Sequence, residues 1–149
     1  NLNPKEFLDS VKDIAEKYET IARRLANIPP KVFVAGGKTC AVFHTTRQVF
    51  AGHILDVLKE KKAKYDIIIL VKHRPKNTLA MTHEDNIVTK MEIRTLTGFD
   101  VRNIARLFGG GGHPLASGAY VESKLNVNEV IKRVKEYLQH QKTNKYARR

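Results

Sequence analysis

Residues 109–115 read GGGGHPL, four consecutive glycines running straight into a histidine and a proline. Glycine loses more backbone freedom on folding than any other residue, so such a run implies a need for bare main chain. Gly109 has an ordinary use as the left-handed residue that ends a helix. One glycine, at most two, meets that need, which leaves Gly111 and Gly112 over. Consecutive residues without Cβ let backbone N–H groups converge on an anion and let a ligand approach the chain. His113 then supplies a side-chain donor at the rim, and Pro114 stiffens the chain just beyond it. Ala116, Ser117, Gly118 and Ala119 keep the next stretch unobstructed. The chemistry on offer is the holding of an anionic ligand. The spacing is not GxGxxG, and no Gly-Lys-Ser/Thr comes after it, so the dinucleotide fold and the P-loop are excluded.

Other reactive residues carry less. Cys40 is the only cysteine, so no internal disulfide and no cysteine-based zinc site can form. It comes after a turn, has no histidine beside it, and is expected to be buried structure. His44, His53, His73 and His140 are scattered, with no HxxxH or HxH pair, and are expected to be surface or core histidines. "THED" at 82–85 groups His83, Glu84 and Asp85, but adjacent residues point different ways, and a polar hairpin turn accounts for them. Ser117 lies four residues past His113 with no Asp partner, which argues against a nucleophilic triad.

These residues need elements to position them. Phe7, Val11, Ile14, Tyr18, Ile21 and Leu25 recur every three or four residues and predict a long amphipathic helix. Asn3 suits its cap and Pro4 its first turn; Pro29 and Pro30 end it. "KVFVA" and "CAVFHTT" predict two strands around a Gly-Gly-Lys turn. Ala51–Lys62 predicts a helix, with Ile54, Leu55 and Leu58 inward, and "DIIILVKH" (66–73) a buried strand ended by Pro75. "TLAMTH" and "IVTKMEIRTL" flank Glu-Asp-Asn as a hairpin, and Val88, Lys90, Glu92 and Arg94 fall on one face of the second strand. A short helix, Val101–Phe108, runs into the glycines, with Asp100 as its cap. "ASGAYV" resumes a strand. Val127, Val130, Ile131, Val134, Tyr137 and Leu138 predict a last helix, with Asn126 and Glu129 as its capping box. The tail, 142–149, is basic and expected to fray. The expected fold is α/β: a mixed sheet of about five strands flanked by helices. Residues 1–30 form an N-terminal linker helix and 31–141 the domain proper.

Charge and composition narrow the partners. The chain has 27 Lys and Arg against 15 Asp and Glu, a net charge of +12 over 149 residues. That balance favours polyanions. The longest apolar runs fall far below the roughly 20 residues of a membrane span. No basic-then-apolar leader opens the chain, and it begins with Asn rather than Met, as a cut chain would. A single cysteine fits an intracellular, cytoplasmic setting.

The stretch EIRTLTGFDVRNIARLFGGGGHPLASGAYV (92–121) resembles the C-terminal, DHH-associated domain of the DHH phosphoesterase superfamily. That group includes RecJ-like exonucleases, nanoRNA phosphodiesterases that also act on pAp, and cyclic-dinucleotide phosphodiesterases. The shared signature is a strand ending in arginine, a short DVxxIA-type helix, GGGH, small residues and a strand. Here the arginine is Arg94 and GGGH is Gly110–His113. Upstream, the strand–helix–strand order fits as well, so the resemblance extends over residues 31–140. One departure is Glu92, where the family often carries serine; an acid there is expected to pair with Arg94 or Lys90, or to point away.

The resemblance implies a division of labour. Aspartates and a DHH motif in an N-terminal domain hold manganese and cleave the phosphate ester; no DHH occurs here. This chain is therefore expected to bind and not to cut, with no catalytic residue, metal ligand or cofactor of its own. Its substrate-binding residues would be Arg94, Gly110, Gly111, Gly112, His113 and Ser117. Its partners would be a nucleotide or short single-stranded nucleic acid, and its own N-terminal DHH domain. Lys38, Arg47, Lys72 and Arg74 are candidates for steering a polyanion inward. Two other readings stay open: a stand-alone regulatory module that oligomerises, for instance as a homodimer, and an RNA-binding module that works by charge alone.

Overall fold

The computed structural model describes residues 3–76 and 86–147, with side chains of the last helix to 142. Its elements run α1 (Pro4–Asn27), β1 (Lys31–Ala35), β2 (Lys38–Thr45), α2 (Ala51–Glu60), β3 (Ile67–Pro75), β4 (Ile87–Thr95), α3 (Arg102–Arg106), β5 (Gly111–His113), β6 (Ala116–Val121) and α4 (Val127–Ala147). The strands form one six-stranded sheet in the order β1-β2-β3-β4-β6-β5. Among the described residues only β2 and β3 pair in parallel, joined over the sheet by α2; the other neighbours are antiparallel. The fold is the expected mixed α/β sheet, with six strands among the described residues against about five expected. One of them, β5, is drawn from the glycine run itself.

Local chemistry sets each boundary. At the start of α1, Asn3 and Glu6 close a reciprocal capping box, with Pro4 in the first turn. Between β1 and β2, Gly36 and Gly37 take φ of +58° and +76°, the conformation a two-residue hairpin turn requires. α2 ends two residues earlier than the sequence suggests, and Lys62 comes after it with a positive φ of 54°. α4 continues past 142 to Ala147; "KTNKYA" contains no glycine or proline to stop it. The expected strand "TLAMTH" and the "THED" turn lie outside the described residues.

Side-chain alternation divides the core between the two faces. On one face Cys40, Val42, Ile67, Ile69, Val71, Met91 and Ile93 pack under α3 and α4. On the other, Ala41, Phe43, Ile68 and Leu70 pack under α2 and the last turns of α1. Cys40 is fully buried, as expected. α1 and α2 lie over β2, β3 and β4, while α3 packs beneath β5 and β6. The apolar stripe of α1 is only half used: Ala22, Leu25 and Ala26 are buried, whereas Phe7, Leu8, Val11 and Ile14 are exposed.

Candidate functional site

The glycine run is shaped residue by residue. Gly109, at φ +79°, ends the α3 segment. Its N–H bonds Arg106 O and the Gly110 N–H bonds Ala105 O, the paired bonds of a Schellman end. Gly110 lies so close to β6 that a Cβ would stand 2.0 Å from Gly118 O. At Gly112, φ is +141° and a Cβ would meet the backbone of Ala116 and Ser117 at 2.9 Å. Gly111 differs: its φ is not positive, and a Cβ there would have nothing within 4 Å. Backbone conformation at Gly109, close packing at Gly110 and both at Gly112 account for three of the four glycines, and leave Gly111 without a reason in the fold.

The register then assembles a row across the sheet. Ile68 pairs with Arg94, Arg94 with Ala116, and Ala116 with His113. Directly paired residues share a face, so Arg94 and His113 emerge on the same side, two strand spacings or about 10 Å apart. Between them stands only the methyl group of Ala116. The adjacent row runs Glu92, Gly118, Gly111. Two of its three residues have no side chain, so it forms a bare floor beside the Arg94 row. β5 is the edge strand, and an edge strand directs alternate amides away from the sheet.

Arg94 is held but not saturated. Its Nη1 donates to Ile93 O at 3.1 Å and to Ser117 O at 3.3 Å, and Nη2 lies 3.5 Å from Glu92 Oε1. A guanidinium carries five N–H donors, and Arg94 keeps 22% of its side chain exposed. His113 is exposed, and its Nδ1 accepts the Leu115 N–H at 3.2 Å. In the neutral ring the proton is therefore on Nε2, which is left to donate outward. Ser117 is buried; its hydroxyl donates to His113 O at 2.8 Å and fixes the turn that presents the histidine.

Glu92 is answered by two cations. Lys72 Nζ stands 2.5 Å from Glu92 Oε2, and Arg94 lies against Oε1. The Glu92 partners are Arg94, as expected, and Lys72 on the neighbouring strand in place of Lys90. Lys72 is buried, donates to Val49 O at 3.1 Å and sits 5.3 Å from the Phe50 ring centroid. The Ala51 N–H, at the start of α2, also donates to Glu92 Oε1 at 3.3 Å. That contact supplies from β4 the acceptor that Phe50, the N-cap, cannot provide. Lys72, Glu92 and Arg94 together carry one net positive charge at the cradle's wall.

The remaining cations fall elsewhere. Arg74 Nη1 donates to Thr46 O at 2.6 Å, Lys38 Nζ lies 5.4 Å from the Phe99 ring centroid, and Arg47 is exposed. Two of the scattered histidines meet across neighbouring strands, a contact that sequence spacing does not show. His44 Nε2 and His73 Nδ1 are 2.7 Å apart, and His73 Nε2 lies 2.7 Å from Leu125 O. A carbonyl only accepts, so His73 donates through Nε2 and its Nδ1 accepts from His44. Burial, then the neighbouring His73, Lys124 and Lys31, hold the His44 pKa below its usual value. Among the described residues no group of three or more His, Cys, Asp or Glu side chains stands together to hold a metal ion, so no step through manganese is derived for them. Among them, too, no helix is long and apolar enough to cross a membrane.

Known proteins agree with this architecture. The DHHA1 domain matches residues 36–140. An exopolyphosphatase-related protein from Bacteroides fragilis superposes on 85% of this chain at 17% identity and a TM-score of 0.52. A pGpG-specific phosphodiesterase from Vibrio cholerae does so over 95% at 17% identity and a TM-score of 0.51. The chain spans 35% and 44% of the lengths of those two proteins, and at such identity the likeness is one of fold. No curated protein matches the chain at a significant level. The arginine-ended strand, the glycine run and the matched span coincide, and the chain belongs to the DHHA1 domain family.

Proposed function

We propose that this chain is the substrate-gripping domain of a two-domain, cytoplasmic DHH-type phosphoesterase, and that it binds a nucleotide or a short single-stranded nucleic acid. Cleavage is assigned to a separate manganese-holding domain. The observation that carries the reading is the Arg94–Ala116–His113 row beside the floor of Gly118 and Gly111. Arg94 takes a non-bridging phosphate oxygen pair, a charge-assisted contact. His113 donates from Nε2 to the same phosphate or to a sugar oxygen. Gly111 lets the ligand lie against main chain, and Ser117 acts through His113 by holding its carbonyl. The net charge of +12 draws the polyanion in, with an affinity that falls with salt. The two structural relatives, named for polyphosphate and pGpG chemistry, both concern phosphate compounds, which fits this reading.

The test is a titration of the purified chain with pAp and with two- to five-nucleotide oligomers, with manganese present in parallel hydrolysis assays. Binding that weakens in Arg94→Ala and His113→Ala, without hydrolysis, is the expected result. Manganese-dependent hydrolysis abolished by His113→Ala would overturn the assignment of chemistry to another domain. Binding that ignores both substitutions yet collapses with salt would instead show adhesion by charge alone.

A further inference from the structure

Among the described residues the sheet has β5 at one edge and β1 at the other. β1, Lys31–Ala35, pairs with β2 residue for residue, without a bulge, and carries no proline, glycine or charge between its ends. Its Val32 and Val34 side chains are 51% and 62% exposed, on the face that α2 covers further in. The Gly36–Gly37 turn decides which peptide groups bond to β2. In a two-residue hairpin with positive φ at both turn residues, the flanking residues, here Ala35 and Lys38, exchange hydrogen bonds, and bonded pairs alternate along the ladder. Lys31, Phe33 and Ala35 therefore bond inward to β2, while the N–H and C=O groups of Val32 and Val34 point away from the sheet. The usual protections of an outer strand, a charge, a proline or a bulge at its centre, are missing. Lys31, the one charged residue of the strand, is turned aside: its Nζ donates to Asn128 Oδ1 on α4 at 2.9 Å.

We infer that β1 is the surface on which two copies of this chain associate, antiparallel about a two-fold axis at Phe33. The Val-Phe-Val sequence is the same in both directions. This register sets Val32 of each copy opposite Val34 of the other, as hydrogen-bonded pairs, so every outward peptide group of the valines finds a partner. A shifted register leaves half of those groups unpaired. The exposed valines cover one another on one face, and Phe33 meets its own copy on the other. Charge agrees with this arrangement. Lys31 faces Ala35 of the second copy, and the two Lys31 Cα positions stand about 14 Å apart, beyond the ~8 Å Debye length. A flexible peptide could make the same bonds, but only by giving up its conformational freedom. A second copy brings its strand already extended and held by a hairpin. The seam is about 17 Å long. It therefore falls short of the ~1,200 Å² that stable complexes bury, and the dissociation constant is on the order of 10–100 μM. The glycine cradle lies at the far edge of the sheet, so this pairing leaves Arg94 and His113 open and does not depend on what they bind.

The experiment is sedimentation equilibrium of the 149-residue chain from about 5 to about 500 μM, with amide hydrogen exchange on the same samples. The wild type passes from monomer to dimer over that range, and the Val32 and Val34 amides slow their exchange about threefold or more as it does. Raising the salt tightens the dimer, since two copies of net charge +12 repel each other. Val34→Lys keeps the chain monomeric throughout. Val32→Glu added to Val34→Lys restores the dimer, because an acid of each copy then faces the lysine of the other. Val32 and Val34 are both more than half exposed, so these substitutions leave the core filled, and an unchanged thermal midpoint confirms it. A wild type that stays monomeric with unprotected valine amides overturns the inference. So does a dimer that Val34→Lys leaves intact, or one that dissolves instead in Val11→Glu, on the exposed stripe of α1. A double variant that remains monomeric overturns the register about Phe33.

Discussion

Gly111 and Gly118 are register partners across β5 and β6, yet the fold compels only one of them to be glycine. A Cβ at Gly118 would stand 2.7 Å from Met91 O, whereas one at Gly111 would meet nothing within 4 Å. On the reading proposed above, in which a ligand lies against this stretch of main chain, Gly111 is the position where a side chain would stand in the ligand's way and not in the protein's. Gly111→Ala is therefore expected to leave stability within about 1 kcal/mol of wild type and to weaken pAp binding about tenfold or more. Gly110→Ala should do the reverse of the first part and cost about 1–3 kcal/mol or more by overpacking against β6. Denaturant midpoints and a parallel titration separate the two.

Arg94→Ala should lower affinity for pAp about ten- to hundredfold, the worth of hydrogen bonds to a charged partner. Arg94→Lys should recover only part of it, because a point charge cannot reproduce two parallel N–H contacts. Calorimetric titration at fixed ionic strength reads both, and a lysine variant that binds as well as wild type would remove the bidentate contact from the account.

Lys72 is buried against Glu92. Lys72→Met leaves that carboxylate with Arg94 as its one remaining cation, and is expected to destabilise the domain by about 3 kcal/mol. It should also draw the guanidinium toward Glu92 and weaken ligand binding. Adding Glu92→Leu should restore much of the stability, since a buried pair replaced on both sides often costs little. Thermal unfolding of the single and double variants tests the coupling.

The His44–His73 contact predicts a pH dependence of stability. The folded pKa of His44 lies below its ordinary value of 6.5, chiefly through burial. The unfolded chain therefore takes up the proton at a higher pH than the folded chain does. Stability from this group is complete above pH 6.5 and is lost as the pH falls below it toward the folded value. Urea midpoints measured from about pH 8 to about pH 5 should fall on the acid side more steeply in wild type than in His44→Gln. Parallel curves would refute the assignment.

Burial pushes the Cys40 thiol up to about 12, with Asp66 nearby adding to the effect. Because the thiolate is the nucleophile, native Cys40 should resist iodoacetamide at about pH 8 and react only on unfolding. Mass spectrometry of alkylated protein, with and without denaturant, checks this.

Much of this arrangement was legible in the sequence because it is local. The Asn3 cap, the Gly36–Gly37 turn and the shared face of Lys90, Glu92 and Arg94 can be read from a few adjacent residues. The order of Arg94, the short helix and the glycines also identified the family. The features that eluded the sequence depend on register. Lys72 reads as the end of a strand with a solvated tip; only the pairing of β3 with β4 carries it to Glu92, twenty positions on. His44 and His73 meet for the same kind of reason, through the pairing of β2 with β3. β5 could not be seen as a strand, since glycines carry no alternating side chains. Periodicity showed that Phe7, Val11 and Ile14 share a face of α1, but not that no core would meet them.

The short β5 edge has a consequence for solubility. A sheet margin that offers naked peptide groups to a small molecule offers them equally to any stray polypeptide. Here the margin is three residues long, and its central one, Gly112, is bent to a φ of +141°. An extended chain from a neighbouring molecule finds too few straight amides to zip onto, so this margin of the sheet can expose its backbone without recruiting a further strand.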